Sequence, residues 1–172
     1  EWRFYGGNLG SQRYSPLAQI DASNVGQLEI AWRFSTGNYG PKPEARNETT
    51  PLLIDGVLYT QVGTTRNVAA IDPKSGELLW LWRPNDDPER FARAPRKTSG
   101  RGVAYWTDGS GNDRIFTVTP GFNLAALDPD TGKMSWYYQY LPGETHDMDE
   151  VFESILIDQG GKSSLFKMGK LG

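Results

Sequence analysis

The chain has 172 residues, a net charge of −3 and no cysteine, and His146 is its only histidine. This composition excludes disulfides, thiolate metal sites and any site that needs several imidazoles. No run of five basic residues occurs, so nucleic acid is not an expected partner. No apolar stretch approaches the ~20 residues of a membrane-spanning helix, and the start shows no signal-peptide pattern.

Short apolar runs separated by turn signals, together with 20 glycines and 11 prolines, are typical of an all-β protein. At most one helical turn is expected at 21–28, and residues 28–36 predict an outer strand. Asp55-Gly56 predicts a hairpin turn. Residues 83–101 lack a strand pattern and predict an ordered loop across a surface, with a flexible linker as the alternative. Further strand pairs are expected around the turns at 73–76, 107–113, 129–132 and 159–162.

Grouped in fours, the strands predict a single partial propeller domain over residues 1–172. An entry segment with the stray outer strand is expected at 1–50, and complete blades at 51–84 and 102–140. An active-site-like loop and an incomplete blade are expected at 141–172. The predicted fold is therefore an all-β partial β-propeller of four-stranded antiparallel blades, with about two complete blades and an incomplete one.

One phrase occurs twice, as "AAIDPKSGELLW" at Ala69–Trp80 and as "AALDPDTGKMSW" at Ala125–Trp136. Equivalent residues of the two copies lie 56 positions apart. We expect the Asp side chain to cap a turn and the Gly to take a positive φ. The Trp then lies on the next strand, where its ring can pack between adjacent sheets. The repeat is interpreted as packing and not as catalysis.

The phrase resembles the tryptophan-docking repeat of the quinoprotein alcohol and glucose dehydrogenases, which are eight-bladed propellers that use pyrroloquinoline quinone (PQQ) and a metal ion. Other segments resemble this family in the same order: the stretch from Trp2, "ETTPLLIDGVLY", "SGRGVAYW" and "LPGETHDMDEV". The resemblance implies a periplasmic enzyme that oxidises a small alcohol or a sugar hydroxyl by hydride transfer to PQQ. It also implies Ca²⁺ or a lanthanide as the metal, and a cytochrome c or a quinone as electron acceptor.

The resemblance also assigns roles to individual residues. Glu48 matches the glutamate that contacts PQQ. Arg101 matches the arginine that binds the quinone, a role that suits the fixed donors of a guanidinium. Asp147 matches the general base and a metal ligand. Asp149 matches the extra metal ligand of members that use lanthanides, which are hard ions that prefer oxygen.

The chain departs from the family pattern in several places. Pro95 and Arg96 stand where many members carry adjacent cysteines, and His146 stands where they carry Trp. Only 46 residues separate Arg101 from Asp147, whereas the family has about two further blades there.

The second copy of the repeated phrase is interpreted as a join between an early and a late blade. A natural fragment, a deletion product and a deliberately shortened chain are all open explanations. The alternative function is a non-catalytic propeller piece that acts as a binding or assembly module, or a vestigial fragment.

Overall fold

The computed structural model describes residues 1–41, 44, 46–94, 100–139, 142 and 154–168. These residues form two four-stranded antiparallel sheets and one separate two-stranded hairpin. The predicted all-β architecture of four-stranded antiparallel blades is therefore confirmed. None of the helices in this part of the chain has the length or apolar character needed to cross a membrane.

The first sheet is a meander of β1 (Leu52–Ile54), β2 (Val57–Val62), β3 (Asn67–Ile71) and β4 (Leu78–Trp82). The turn between β1 and β2 is the predicted Asp55-Gly56 hairpin. Both of its residues have positive φ, 48° and 80°. This backbone geometry matches the right-handed twist of the two strands that it joins.

The second sheet repeats this order with β5 (Ala104–Trp106), β6 (Arg114–Val118), β7 (Asn123–Leu127) and β8 (Met134–Gln139). In both sheets the register shifts at the end of the third strand, after Ala70 in the first and after Ala126 in the second. The two irregularities are 56 residues apart in the sequence. The repeated phrase thus codes for the same local backbone in each sheet.

Three smaller elements complete the described chain. β9 (Ser154–Gln159) and β10 (Lys162–Lys167) form an antiparallel hairpin, as predicted for this stretch. A 3₁₀ turn spans Val25–Gln27. Helix α1 (Pro88–Arg93) lies inside the segment that was expected to be a loop. Proline at its first position and the Asp87 carboxylate, which accepts a hydrogen bond from the amide of Arg90 at 2.8 Å, explain why the helix begins there.

The outer strand predicted at residues 28–36 is not formed, because these residues pair with no strand in the described chain. The aromatic side chains of this segment, together with that of Tyr39 just after it, instead cover the outer face of the first sheet. Trp32, Phe34 and Tyr39 pack against a buried cluster of Val62, Ala69 and Ile71. Of the alternating apolar residues, Trp32 and Phe34 are thus partly buried, whereas Leu28 and Ile30 stay exposed.

The main core lies between the two sheets. Because strand side chains alternate between faces, every second residue of β1, β2 and β3 points toward the second sheet. The buried members of this core are Leu52, Ile54, Tyr59, Val68, Ala70, Ile115, Ala125 and Leu127. Their burial is the main hydrophobic contribution to holding the sheets together.

The first copy of the repeated phrase forms a capped turn that receives a tryptophan from the N-terminal segment. The Asp72 carboxylate accepts a hydrogen bond from the Lys74 amide at 2.8 Å. Trp32 Nε1 donates to the Pro73 carbonyl at 2.9 Å. A Cβ on Gly76 would lie 2.6 Å from the Trp32 ring, so only glycine leaves room for it.

The second copy repeats these contacts with a tryptophan from the first sheet. The Asp128 carboxylate accepts hydrogen bonds from the Thr131 amide at 2.8 Å and the Thr131 hydroxyl at 2.7 Å. Trp80 Nε1 donates to the Pro129 carbonyl at 2.8 Å. A Cβ on Gly132 would lie 2.5 Å from the Trp80 ring. Trp80 therefore joins β4 of the first sheet to the turn of the second.

Tyr59 reinforces this junction from β2. Its hydroxyl donates to the Pro129 carbonyl at 3.2 Å, and its ring centroid lies 5.9 Å from that of Trp80. Burial raises the pKa of the Tyr59 hydroxyl to about 12. The group is therefore neutral and a donor at physiological pH. Two donors of the first sheet thus share one carbonyl of the second.

Trp136 occupies the position in the second sheet that is equivalent to Trp80 in the first, and it packs against Phe116 with ring centroids 5.6 Å apart. Trp136 is 44% exposed. Other large apolar side chains of β8 are also exposed, namely Met134, Tyr137 and Tyr138. The second sheet thus presents an uncovered apolar strand in the described chain.

Substituting Gly132→Ala is expected to destabilise the fold more than Gly56→Ala does. Both glycines have positive φ, 68° and 80°, so both variants carry a backbone cost of about 1–2 kcal/mol. Only the new Cβ at position 132 meets the Trp80 ring, while that at position 56 has no atom within 4 Å. Overpacking adds about 1–3 kcal/mol. Urea unfolding of both variants measures the difference, and equal losses would contradict the role of Trp80.

The Asp128 carboxyl is expected to make the stability of the fold depend on pH in acid. The hydrogen bonds from Thr131 lower the pKa of the Asp128 carboxyl from its ordinary value. A carboxyl with a lowered folded-state pKa stabilises the fold above its unfolded pKa, and this contribution is lost as the pH falls through the folded value. We expect Asp128→Asn, which cannot titrate, to reduce the loss of stability below about pH 4. Parallel curves of unfolding free energy against pH for the two proteins would refute this.

Candidate functional site

A cleft of about 780 Å³ opens where the segments that lead into β1 and β5 meet. Its walls include Glu48 from the first of these segments and Arg101 from the second. Gln61 at the end of β2 and Thr117 of β6 lie deeper in the same cleft. Both predicted cofactor-binding residues thus line one cavity between the two sheets.

Glu48 and Arg101 are brought together although 53 residues separate them in the sequence. Glu48 Oε2 lies 3.9 Å from Arg101 Nε. The other carboxylate oxygen accepts a hydrogen bond from Arg46 Nε at 3.0 Å. The Glu48 side chain is 38% exposed and that of Arg101 is 81% exposed. Such an open pair contributes at most about 1 kcal/mol to stability, so its effect is mainly on orientation.

A backbone contact causes this proximity. Thr50 and Gly102 form an isolated parallel β-bridge, which sets the entrances of β1 and β5 side by side. Gly102 has a φ of 115°, and a Cβ there would lie 3.0 Å from the Thr50 carbonyl oxygen. Arg101 immediately precedes Gly102, and Glu48 lies two positions before Thr50. Their side chains therefore reach the same cleft.

Gln61 is a site residue that the sequence analysis missed. It is 2% exposed, and its amide bonds to both sides of the cleft. The oxygen Oε1 accepts a hydrogen bond from the Gly102 amide at 3.1 Å, and Nε2 donates to Thr117 Oγ1 at 2.6 Å. The sequence did offer a signal, because Gln61 is a polar residue near the end of a strand pattern that is mostly apolar. It also lies 56 positions before Thr117, which is the spacing between the two copies of the repeated phrase.

Two further arginines of the cleft were also missed. Arg46 bonds to Glu48, as described above. Arg66 is 8% exposed and has a positive φ of 55°. Its Nη1 donates to the Thr119 carbonyl of the second sheet at 3.2 Å. Among the described residues, the cleft is therefore lined by three arginines and one glutamate, a donor set that favours an anionic ligand.

Asp147 and Asp149, the predicted base and metal ligands, lie outside the described residues. Their positions relative to Glu48 and Arg101 therefore stay predictions. Within the ranges that the structure describes, no group of three or more His, Asp or Glu side chains is placed to hold a metal ion.

The chain is similar to quinone-dependent alcohol dehydrogenases and to methanol dehydrogenases. The alcohol dehydrogenase (quinone) dehydrogenase subunit of Gluconobacter oxydans is 35% identical over 144 residues, which cover 84% of this chain and 18% of that protein. The solved quinohemoprotein alcohol dehydrogenase of Comamonas testosteroni matches with a TM-score of 0.67 and 31% identity, over 83% of this chain and 20% of its own. A solved europium-containing methanol dehydrogenase matches with a TM-score of 0.65 and 30% identity, over 81% and 23% of the two chains.

The chain therefore spans about a fifth of the length of these relatives. Residues 2–138 match the family described as PQQ glucose/ethanol/alcohol dehydrogenase, β-propeller domain. This match covers most of the chain, including both four-stranded sheets except for Gln139 at the end of β8, and it confirms the resemblance found in the sequence. The chain belongs to the PQQ-dependent glucose/ethanol/alcohol dehydrogenase β-propeller family.

Proposed function

We propose that this chain supplies the quinone-binding part of a PQQ-dependent dehydrogenase that oxidises a small alcohol or a sugar hydroxyl. The observation that carries the proposal is the pairing of Glu48 with Arg101 in the cleft between the two sheets. Bound PQQ would supply the quinone that accepts a hydride from the alcohol carbon. The chain's own residues would bind and orient this cofactor.

The donor set of the cleft suits PQQ, which is a tricarboxylate with an ortho-quinone. Arg46, Arg66 and Arg101 line the cleft with positive charge, and Glu48 is its carboxylate. Glu48 accepts a hydrogen bond from Arg46 and pairs with Arg101. A guanidinium offers donors in a fixed plane to carboxylate or quinone oxygens. The described lining therefore fits a planar anion better than it fits a cation.

Within this set, Arg101 is proposed to hold the quinone. Its ion pair with Glu48 engages Nε, whereas a guanidinium carries four more N–H donors on its terminal nitrogens. The positive charge would stabilise the negative charge that the quinone gains on reduction. Glu48 is proposed to contact the cofactor and to restrict the rotation of the Arg101 side chain.

Asp147 is proposed as the general base that takes the proton of the substrate hydroxyl on its carboxylate. Asp147 and Asp149 are also the proposed ligands of Ca²⁺ or a lanthanide. These roles rest on the resemblance of "LPGETHDMDEV" to the family's active-site segment. The described residues do not by themselves provide a metal shell.

Three further proposals follow from family membership. The protein acts in the periplasm, and its electrons pass to a cytochrome c or to a quinone. The phrases that end at Trp80 and Trp136 are copies of the family's tryptophan-docking motif. The contact of Trp80 with Pro129 and Gly132 supports the last of these.

The alternative is a non-catalytic module for binding or assembly. It is favoured by the exposed apolar side chains of β8, such as Trp136 and Tyr137, which are 44% and 63% exposed. Exposed apolar surface of this kind marks contact sites in many proteins. A module of this kind has no need of PQQ, so cofactor binding separates the two functions.

We expect the purified chain to bind PQQ. The substitution Arg101→Met should weaken this binding at least about tenfold, because a charge-assisted hydrogen bond to the cofactor is lost. Titration with PQQ, followed by tryptophan fluorescence and by quinone absorbance, measures the dissociation constants. Arg93→Met is a matched control, since Arg93 is also an exposed arginine with one ion pair at 3.9 Å, but it lies on α1.

The control should bind PQQ like the unchanged chain. Absence of binding by the unchanged chain at high micromolar PQQ would refute the proposed function and favour the assembly module. Equal weakening in Arg93→Met and Arg101→Met would show that the effect is nonspecific electrostatics.

A further inference from the structure

We propose that Gln61 is a positioning residue, whose buried side-chain amide fixes the backbone around Arg101 and thereby aims the guanidinium into the cleft. The inference rests on the proposed cofactor role of Arg101. Gln61 would act through this arginine and not as a catalytic group.

The first support is the connectivity of the Gln61 amide. It projects from β2 of the first sheet and is 2% exposed. Its Oε1 accepts a hydrogen bond from the Gly102 amide at 3.1 Å. Its Nε2 donates to Thr117 Oγ1 in β6 at 2.6 Å. One planar group thus ties the residue after Arg101 to both sheets.

The second support is the space around the residue before Arg101. A Cβ added to Gly100 would lie 2.1 Å from Gln61 Oε1 and 2.9 Å from its Cδ. The backbone at position 100 therefore rests directly on the amide. Since Gly102 is also held by its bridge to Thr50, the chain is constrained on both sides of Arg101.

The chemistry of the amide explains why a glutamine suits this position. Gly102 needs an acceptor for its N–H, and the Thr117 hydroxyl can accept from a donor, so the site requires one group that supplies both. A buried amide that is bonded at both ends holds a single orientation. An apolar side chain of similar length would leave the Gly102 N–H without this acceptor. The segment that leads into β5 would then be held less firmly.

Gln61→Met tests this role, because it keeps the length of the side chain and removes both hydrogen bonds. Without cofactor, we expect the Gly102 amide to exchange with deuterium about tenfold faster, as measured by NMR. The dissociation constant for PQQ is expected to rise about tenfold as well. When Arg101 is already replaced by Met, Gln61→Met should change the dissociation constant for PQQ less than about twofold. This small effect is expected in a double-mutant cycle if Gln61 acts on binding through Arg101.

Tyr59→Phe is the matched control, since it also removes a hydrogen bond of β2, but at the Pro129 junction. It shows how much of any faster exchange comes from lower global stability. Gly100→Ala provides a second variant should Gln61→Met fail to fold. Its new Cβ displaces Gln61 Oε1 while the glutamine stays in the chain, and the same changes in exchange and binding are expected.

Three results for Gln61→Met would overturn the proposal. The first is Gly102 amide exchange no faster than in Tyr59→Phe, and the second is faster exchange with an unchanged dissociation constant for PQQ. The third is an equal change of this dissociation constant with Arg101 present and with Arg101 replaced by Met. If the unchanged chain does not bind PQQ, the proposed function fails separately. The role of Gln61 is then decided by Gly102 exchange and by the backbone order parameter of Arg101. Unaltered values of both in Gln61→Met and Gly100→Ala refute it.

Discussion

The close packing of the two sheets is the constraint on which the rest of the structure depends. The facing strands carry small residues at this contact, and Ala70 and Ala125 are almost fully buried. Small side chains let the sheets approach, and the approach lets Trp80 and Tyr59 reach the same Pro129 carbonyl. Apolar burial supplies the attraction, while these two directional bonds fix how the second sheet is set against the first.

The cleft is a consequence of this arrangement. Once the sheets are fixed, the entrances of β1 and β5 run side by side and the Thr50–Gly102 bridge forms. Gln61 then spans the gap to Thr117. Positive charge collects there because Arg66 reaches across to the second sheet and Arg101 enters from it. Packing and ligand chemistry thus depend on the same inter-sheet geometry.

Strand positions and turns could be predicted because they depend on neighbouring residues. Asp55-Gly56 forms the expected hairpin, since the required positive φ values are a local property. Helix α1 was missed because its Asp87 cap and Pro88 start are short signals within a charged loop. The segment at 28–36 has a strand pattern but no ladder, because a ladder needs a partner strand that the pattern does not specify.

The sequence by itself determined the turn chemistry of the repeated phrase, the four-stranded units, the family, and Glu48 and Arg101 as candidates. Only the tertiary structure decided that these two side chains meet at 3.9 Å and that the Gln61 amide bonds to Gly102, the residue after Arg101. The physical reason is the range of the interactions. Capped turns and alternating burial act over a few residues, whereas the cleft arises from sheet packing and a bridge between segments about 50 residues apart.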